Sequence, residues 1–140
     1  MAWITPKTNW TAESFINYND INRIVDNLKY LRNLALKLYT SKIKSVSVVQ
    51  KYNFSFANYT DLYSDEVNDI EDSLTSLNVG TLNYDIGVQK TYQDNGAYID
   101  YVELNRIESA MLRLYTEMTY QHSNLDRLAF ILGGERKFKI

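Results

Sequence analysis

Apolar residues recur at steps of three and four in three stretches of the chain, and other stretches without that period separate them. Steps of three and four place side chains on one face of an α-helix, so each stretch predicts an amphipathic helix. The three apolar series are Ile21, Ile24, Leu28, Leu31, Ala35 and Leu38; Val67, Ile70, Leu74 and Leu77; and Leu104, Ile107, Met111, Leu114, Met118, Leu125, Leu128 and Leu132. We therefore predict a mainly α fold, in which helices over about 18–42, 64–78 and 101–132 form a bundle.

A short motif recurs once in each predicted helix. It consists of an acidic residue, an aliphatic residue, Asn, any residue and Ile, followed after three more residues by Leu or Met, and it occupies 20–28, 66–74 and 103–111. Each copy lies near the start of its helix. The repeat indicates three helices of similar construction.

The residues upstream of two copies predict where the helices begin. Asn17 precedes Asp20 by three residues, and Asp100 precedes Glu103 by the same spacing, which is the spacing of a capping box. An acidic residue there also interacts favourably with the positive end of the helix. The helix-start motif comprises Asn17, Asp20, Asn22, Glu66, Asn68, Asp100, Glu103 and Asn105.

The stretches between the helices favour extended structure. Apolar and aromatic residues alternate with Ser and Asn over 44–58, and 79–93 contains two glycines among β-prone residues. Alternation of this kind is typical of strands. We expect a small β-hairpin or sheet from 44–58 and 79–93, although the same residues are compatible with loops.

Composition narrows the classes of function. The 140 residues suit a single domain, 1–140, with a short N-terminal arm over 1–14. With 15 Lys and Arg against 17 Asp and Glu, the net charge is −2, which is poorly suited to neutralising phosphates, so no nucleic-acid partner is expected. The chain contains no cysteine, no signal-peptide pattern and no apolar run of membrane-spanning length, so membrane insertion is not expected either.

No arrangement of reactive residues predicts catalysis. The single histidine, His122, lies on the third predicted helix, and the glycines form neither a P-loop nor a dinucleotide-binding fingerprint. We interpret the carboxylates of the second helix as a solvated face; they are Asp65, Glu66, Asp69, Glu71 and Asp72. We therefore assign no catalytic residue, no metal site and no cofactor, and we expect a protein that is not an enzyme.

Aromatic residues are the better candidates for a functional surface. Trp3 and Trp10 flank Pro6 in the N-terminal arm, where they would pin the arm to its own domain or to a neighbouring subunit. The others are expected in core or sheet packing, in a protein interface or on a surface that stacks against sugar rings. The candidate interface residues are Trp3, Trp10, Tyr52, Phe54, Phe56, Tyr59 and Tyr63.

Three stretches carry a resemblance to a known group of proteins. Residues 3–11 are Trp-Ile-Thr-Pro-Lys-Thr-Asn-Trp-Thr, residues 15–24 are Phe-Ile-Asn-Tyr-Asn-Asp-Ile-Asn-Arg-Ile, and residues 63–71 are Tyr-Ser-Asp-Glu-Val-Asn-Asp-Ile-Glu. Together with 27–31 they resemble small tail-associated structural proteins of phages and prophages of Gram-positive bacteria. The likeness covers roughly half of the chain.

The resemblance implies a non-enzymatic virion protein of the tail tip or baseplate, made in the bacterial host cytoplasm. It implies an adaptor whose partners are other tail or baseplate proteins, and homo-oligomerisation is left open. Two alternatives remain: a module that binds host cell-wall saccharide, and a tail assembly chaperone that is absent from the virion.

Overall fold

The structure, a computed structural model, describes residues 2–39, 42–49, 63–94, 96 and 98–133, with the backbone alone for 125–133. Three helices form: α1 over Tyr18–Leu38, α2 over Ser64–Val79 and α3 over Tyr101–Gly133. The three predicted helices are thereby confirmed. None of the three described helices combines the length and apolar composition that a membrane span requires.

Helix α1 begins where the capping box predicts. Asn17 Oδ1 accepts from the backbone N–H of Asp20 at 3.2 Å, and the Asp20 carboxylate accepts from the N–H of Asn17 at 2.9 Å. At the start of α3 the Asp100 carboxylate accepts from the N–H of Glu103 at 3.0 Å. Both helix starts therefore satisfy backbone donors that would otherwise lack a partner.

The end of α1 differs from the prediction by four residues. The helix ends at Leu38, because Tyr39 adopts an extended backbone conformation with φ −128° and ψ 151°. The Tyr39 side chain reaches across to α3, where its hydroxyl donates to Gln121. The chain then returns along the bundle, and the Ile43 carbonyl accepts from Arg32 of α1 at 3.3 Å.

The apolar face of each helix lies in one shared core. The predicted apolar residues from Ile21 to Ala35, from Val67 to Leu77 and from Leu104 to Met118 are all buried. Trp10, Ile43 and Val48 add apolar side chains from outside the helices. Burial of this surface is the main stabilising contribution to the bundle.

All three helices run in the same direction. Arg23 near the start of α1 pairs with Glu108 near the start of α3, and Tyr39, just after α1, contacts Gln121 further along α3. Arg106 of α3 likewise pairs with Glu71, the eighth residue of α2, and further along both helices Tyr84 bridges Asn78 of α2 and Arg113 of α3. Because the helices are parallel, their first residues lie together at one end of the molecule, here called the start end.

Parallel helices need connections that return to the start end, and extended segments provide them. Residues 42–49 lie between α1 and α2, and residues 84–94 lie between α2 and α3. Residues 2–10 of the predicted N-terminal arm lie between α1 and α3, and from here on 'the arm' means these residues alone. Each of the three grooves between neighbouring helices thus holds one extended segment that runs antiparallel to the helices.

These segments do not form the predicted β-hairpin. Within 42–49 and 80–94 no strand is present, because the extended backbone hydrogen-bonds to side chains of the flanking helices rather than to another extended segment. Residues 50–58, the rest of the first predicted strand, lie outside the described residues.

Candidate functional site

The first charged cluster lies between α1 and α3 and centres on Glu108, whose side chain is 0% exposed. Arg23 donates from Nε to Oε1 at 2.7 Å and from Nη2 to Oε2 at 2.8 Å. The Trp10 indole N–H donates to Oε2 at 2.6 Å, and the backbone N–H of Lys7 donates to Oε1 at 3.2 Å. Arg23 also pairs with Asp20 at 2.9 Å. Each carboxylate oxygen of Glu108 accepts two hydrogen bonds, which offsets the cost of burying its charge.

The second charged cluster lies between α2 and α3 and centres on Glu71, which is also fully buried. Arg106 Nη2 donates to both oxygens of Glu71, at 2.5 and 2.6 Å, and the backbone N–H of Lys90 lies 3.4 Å from Oε2. Arg106 Nε donates to Glu103 at 2.8 Å, and Lys90 Nζ lies 3.4 Å from the same carboxylate. Glu71 is therefore not part of a solvated face, which corrects the sequence interpretation of the α2 carboxylates.

Both arginines remain charged in these clusters. Burial alone would lower the pKa of Arg23, but the hydrogen bonds and charges of Glu108 and Asp20 outweigh it and raise the pKa above its ordinary value. The pKa of Arg106 is raised for the same reason, since its two acidic partners outweigh burial. Neither group is available as a proton donor or acceptor near neutral pH.

The two clusters are built from equivalent positions of the sequence repeat. Arg23 and Arg106 hold its fourth position, and each pairs with the Glu at the sixth position of a neighbouring helix. At the interface between α1 and α2, the fourth position of the α2 copy is Asp69 and the sixth position of the α1 copy is Val25. These two residues cannot form the same pair. Asp69 instead accepts from Lys44. The charge pairs therefore join α1 to α3 and α3 to α2, and the third interface has a different polar contact.

Asp69 anchors segment 42–49. Its Oδ2 accepts from the backbone N–H groups of Ser47 at 3.0 Å and Val48 at 3.2 Å, in addition to the ion pair with Lys44. Burial alone would raise the pKa of Asp69, but these donors outweigh it and hold the pKa below its ordinary value. The carboxylate is thus ionised and used to position the segment.

Asparagine side chains hold the other two extended segments. In each case the amide oxygen accepts from a backbone N–H and the amide nitrogen donates to the carbonyl of the same residue, an arrangement here called a clamp. Donor–acceptor distances in the clamps are 2.7 to 3.0 Å, as expected for well-formed hydrogen bonds. The four clamps are Asn27 on Ile4, Asn105 on Trp10, Asn78 on Tyr84 and Asn68 on Tyr92.

The clamps explain the Asn of the sequence repeat. Asn68 and Asn105 hold its third position, and each clamps a segment that continues to a Glu at the sixth position of the same helix. Asn22 is the equivalent residue of α1. The third position thus supplies a backbone clamp in α2 and α3.

Tyr92 combines a clamped backbone with a buried hydroxyl. Within the described residues, no group forms a hydrogen bond with that hydroxyl. Burial, followed by the charges of Glu71 and Glu103, raises the pKa of Tyr92 to about 12. The phenol is therefore neutral across the physiological range.

Aromatic packing secures the other part of the arm. The Trp3 ring stacks on Tyr115 of α3 with the centroids 4.0 Å apart, and Tyr30 of α1 lies 5.8 Å from Trp3. Trp10 is 3% exposed, and Lys7 Nζ lies 4.2 Å from its ring centroid. The sequence leaves open whether the arm contacts its own domain or a neighbouring subunit. In this structure the arm contacts its own domain.

The other predicted interface residues are less closely defined. Tyr63 precedes α2 and is mostly exposed, whereas Tyr52, Phe54, Phe56 and Tyr59 lie outside the described residues. His122 is half-buried on α3 and has an interaction partner. Among the side chains that the structure describes, no three or more His, Asp or Glu are grouped to hold a metal ion.

Exposed aromatic side chains collect at the start end. Phe15 and Tyr98 are 83% and 87% exposed, and each lies two residues before a capping residue, Asn17 or Asp100. Tyr63 and Tyr101 are exposed at the beginnings of α2 and α3. Among the described side chains, Tyr120 is the one exposed aromatic residue that lies elsewhere. The start end is therefore the principal aromatic surface of the described molecule.

Sequence reasoning missed the residues that assemble the grooves. The sequence analysis does not identify Arg23, Arg106 or Glu108 and assigns Glu71 to a solvated face, although Glu recurs at the sixth position of two repeat copies and Arg at the fourth position of two. This recurrence of Glu and Arg at fixed positions of the repeat is the sequence feature that could have identified the pairs. No comparable sequence feature identifies Asn27, because it lies outside the helix-start positions.

No protein family, curated protein or solved structure matches this chain.

Proposed function

We propose that this chain is a non-enzymatic structural protein of a phage tail, which acts at the tail tip or baseplate as an adaptor that docks other tail components. The resemblance of residues 3–11, 15–24 and 63–71 to tail-associated proteins supplies the setting. The geometry of the molecule supports an adaptor role within it.

The observation that carries the proposal is the aromatic start end. Four of the five exposed aromatic side chains among the described residues lie there, namely Phe15, Tyr63, Tyr98 and Tyr101. Aromatic residues are enriched where proteins bind each other, because they bury a large area with few rotatable bonds. The start end is therefore the surface through which the adaptor contacts its neighbours.

The use of the charged residues supports a structural role. The buried acids Glu71 and Glu108 each accept from an arginine and from the backbone of an extended segment. Charge-assisted hydrogen bonds of this kind hold the extended segments in place against the helices. Rigid placement of three helix starts is what a docking surface requires.

Composition of purified particles tests the proposal most simply. We expect mass spectrometry of particles from the phage that encodes this chain to detect the polypeptide at a fixed ratio to other tail proteins. Its presence in infected cells together with its absence from particles would contradict the proposal and favour an assembly chaperone.

A substitution pair tests the docking surface itself. We expect Phe15→Ser with Tyr98→Ser to reduce incorporation into particles at least tenfold, because both mostly exposed aromatic groups are lost from the start end. Tyr120→Ser is the matched control, since it removes an exposed aromatic group elsewhere. Normal particles with the double variant would contradict the role of this surface, and binding of purified protein to host cell walls that Tyr63→Ala abolishes would favour the saccharide-binding alternative.

A further inference from the structure

The contacts of the arm are compatible with docking on a second copy of the chain. The arm is held by the clamps of Asn27 and Asn105, by the Trp10–Glu108 hydrogen bond and by the stacking of Trp3. Every one of these contacts joins the arm to helices α1 and α3. None of them depends on the residues that connect the arm to α1.

That connection is exposed. In the linker, residues 11–15, four of the five residues are exposed, and Phe15 is 83% exposed. Among the described residues, the hydrogen bonds of the linker join only Thr11 and Ser14 to each other. A change in the path of the linker therefore breaks few interactions.

The other two grooves do not offer this freedom. Segment 42–49 lies in sequence between α1 and α2, and segment 84–94 lies between α2 and α3, so helices of the same chain restrain each segment on both sides. The arm is joined to the described bundle through the linker alone. The α1/α3 groove is thus the one groove, in the part described, that can exchange its occupant by moving only the linker.

We propose that the arm is exchangeable, so that residues 2–10 of one copy occupy the α1/α3 groove of a second copy. The partner is a second copy because the groove offers three specific contacts: Glu108 accepts from an indole N–H, and Asn27 and Asn105 each hydrogen-bond to the backbone of one extended residue. The arm of this chain satisfies all three with Trp10 and Ile4. Exchange keeps every arm–groove contact and alters only the linker, which is the low-cost route to association by swapping an element.

Exchange also gives the start end a partner surface. The linker carries Phe15, so an exchanged linker brings the start ends of two copies towards each other. Burial of Phe15, Tyr98 and their neighbours then favours the exchanged state over the separate copies. This inference concerns how copies of the chain associate and does not depend on the proposed phage setting.

The absence of native cysteine allows a direct trap. Ile4→Cys is placed in one copy and Asn27→Cys in another, at two positions that hydrogen-bond in the structure. The two purified proteins are mixed, oxidised and separated on non-reducing gels. We expect a mixed disulfide dimer in several-fold excess over that from Ile4→Cys mixed with Asn33→Cys, since Asn33 is an exposed residue of α1. Equal yields from the two mixtures would overturn the proposal.

A complementation experiment keeps the proposal testable if Asn27→Cys does not fold. One variant carries Trp3→Ala and Trp10→Ala and has a defective arm, and the other carries Asn105→Ala and has a defective groove. We expect light scattering to detect a one-to-one complex only in the mixture, because the intact arm and the intact groove are then on different chains. A mixture that shows only the masses of the separate proteins would also overturn the proposal.

Discussion

At single residues, the burial of Glu108 and of Glu71 depends on their arginine partners. A buried carboxylate is costly to desolvate, and only a saturated set of donors makes its burial tolerable. Glu108 has four such donors, of which two belong to Arg23. Removal of either member of the pair leaves a buried group without its main partner.

We predict that Glu108→Gln destabilises the protein by about 3–5 kcal/mol, because the Arg23 charge then lacks its main counter-charge. Urea unfolding followed by circular dichroism measures the change. Glu13→Gln is the matched control, since Glu13 is exposed, and we expect it to change stability by less than about 0.5 kcal/mol. Similar effects of the two substitutions would contradict the role of the buried pair.

The raised pKa of Tyr92 predicts that the stability of the protein changes in a specific way at alkaline pH. Its pKa is about 12 in the folded chain, against about 10 when unfolded, so the folded state retains a proton that the unfolded state loses between these values. The contribution of Tyr92 to stability is fully present below pH 10 and is lost as the pH rises through 12.

We therefore expect Tyr92→Phe to lose less stability than the wild type between pH 9 and about pH 11.5, as measured by urea unfolding at each pH. At pH 7 the variant should be at least as stable, since the Tyr92 hydroxyl is buried without a hydrogen bond in the described structure. Tyr120→Phe, at an exposed residue, should follow the wild type. Identical pH profiles for all three proteins would show that Tyr92 is not perturbed.

Among the elements of the fold, the three extended segments are positioned by side chains of the helices. Each clamp replaces the hydrogen bonds that a neighbouring strand would provide, so an extended segment lies in a groove without belonging to a sheet. The clamps thereby determine the register of the arm and of segment 84–94 along the helices.

We predict that Asn105→Asp destabilises the protein by about 1–3 kcal/mol, because the carboxylate cannot donate to the Trp10 carbonyl and lies near Glu108. Thermal unfolding measures the change, and the tryptophan emission, which comes from Trp3 and Trp10 of the arm, reports whether the arm has left the groove. Asn33→Asp, an exposed change of the same kind on α1, should have little effect. An Asn105→Asp protein with wild-type stability and emission would contradict the clamp.

The elements differ in how far the sequence predicts them. Helix starts are local, and the spacing from Asn17 to Asp20 was sufficient to place the start of α1. The sequence wrongly predicts a hairpin for the extended segments, because any extended chain alternates its side chains, as Tyr84 and Ile86 do, whatever its hydrogen-bond partner. The partner here is an asparagine on a helix, which alternation does not predict.

At the scale of the whole molecule, the parallel arrangement was not evident from the sequence. Glu71 lies 35 residues from Arg106, and Arg23 lies 85 residues from Glu108, so local patterns do not reveal these pairs. Periodicity counts Glu71 and Glu108 as polar and hence as surface. Only the partner on another helix explains why they are buried.

The parallel arrangement also determines where the proposed docking surface lies. If the helices alternated in direction, Phe15, Tyr63 and Tyr98 would be divided between the two ends of the bundle. Because the helices run together, these side chains share one end, and both the proposed docking role and the exchange of arms depend on that geometry.

Distances between spin labels test whether α1 and α3 run in the same direction. With cysteines introduced at exposed residues, the pair Asn19 and Val102 joins the starts of α1 and α3, and the pair Asn19 and Tyr120 joins the start of α1 to a point about 27 Å further along α3. Parallel helices predict that the first pair gives the clearly shorter distance. A shorter distance for Asn19 and Tyr120 would mean that α1 and α3 run in opposite directions, and would rule out the parallel bundle.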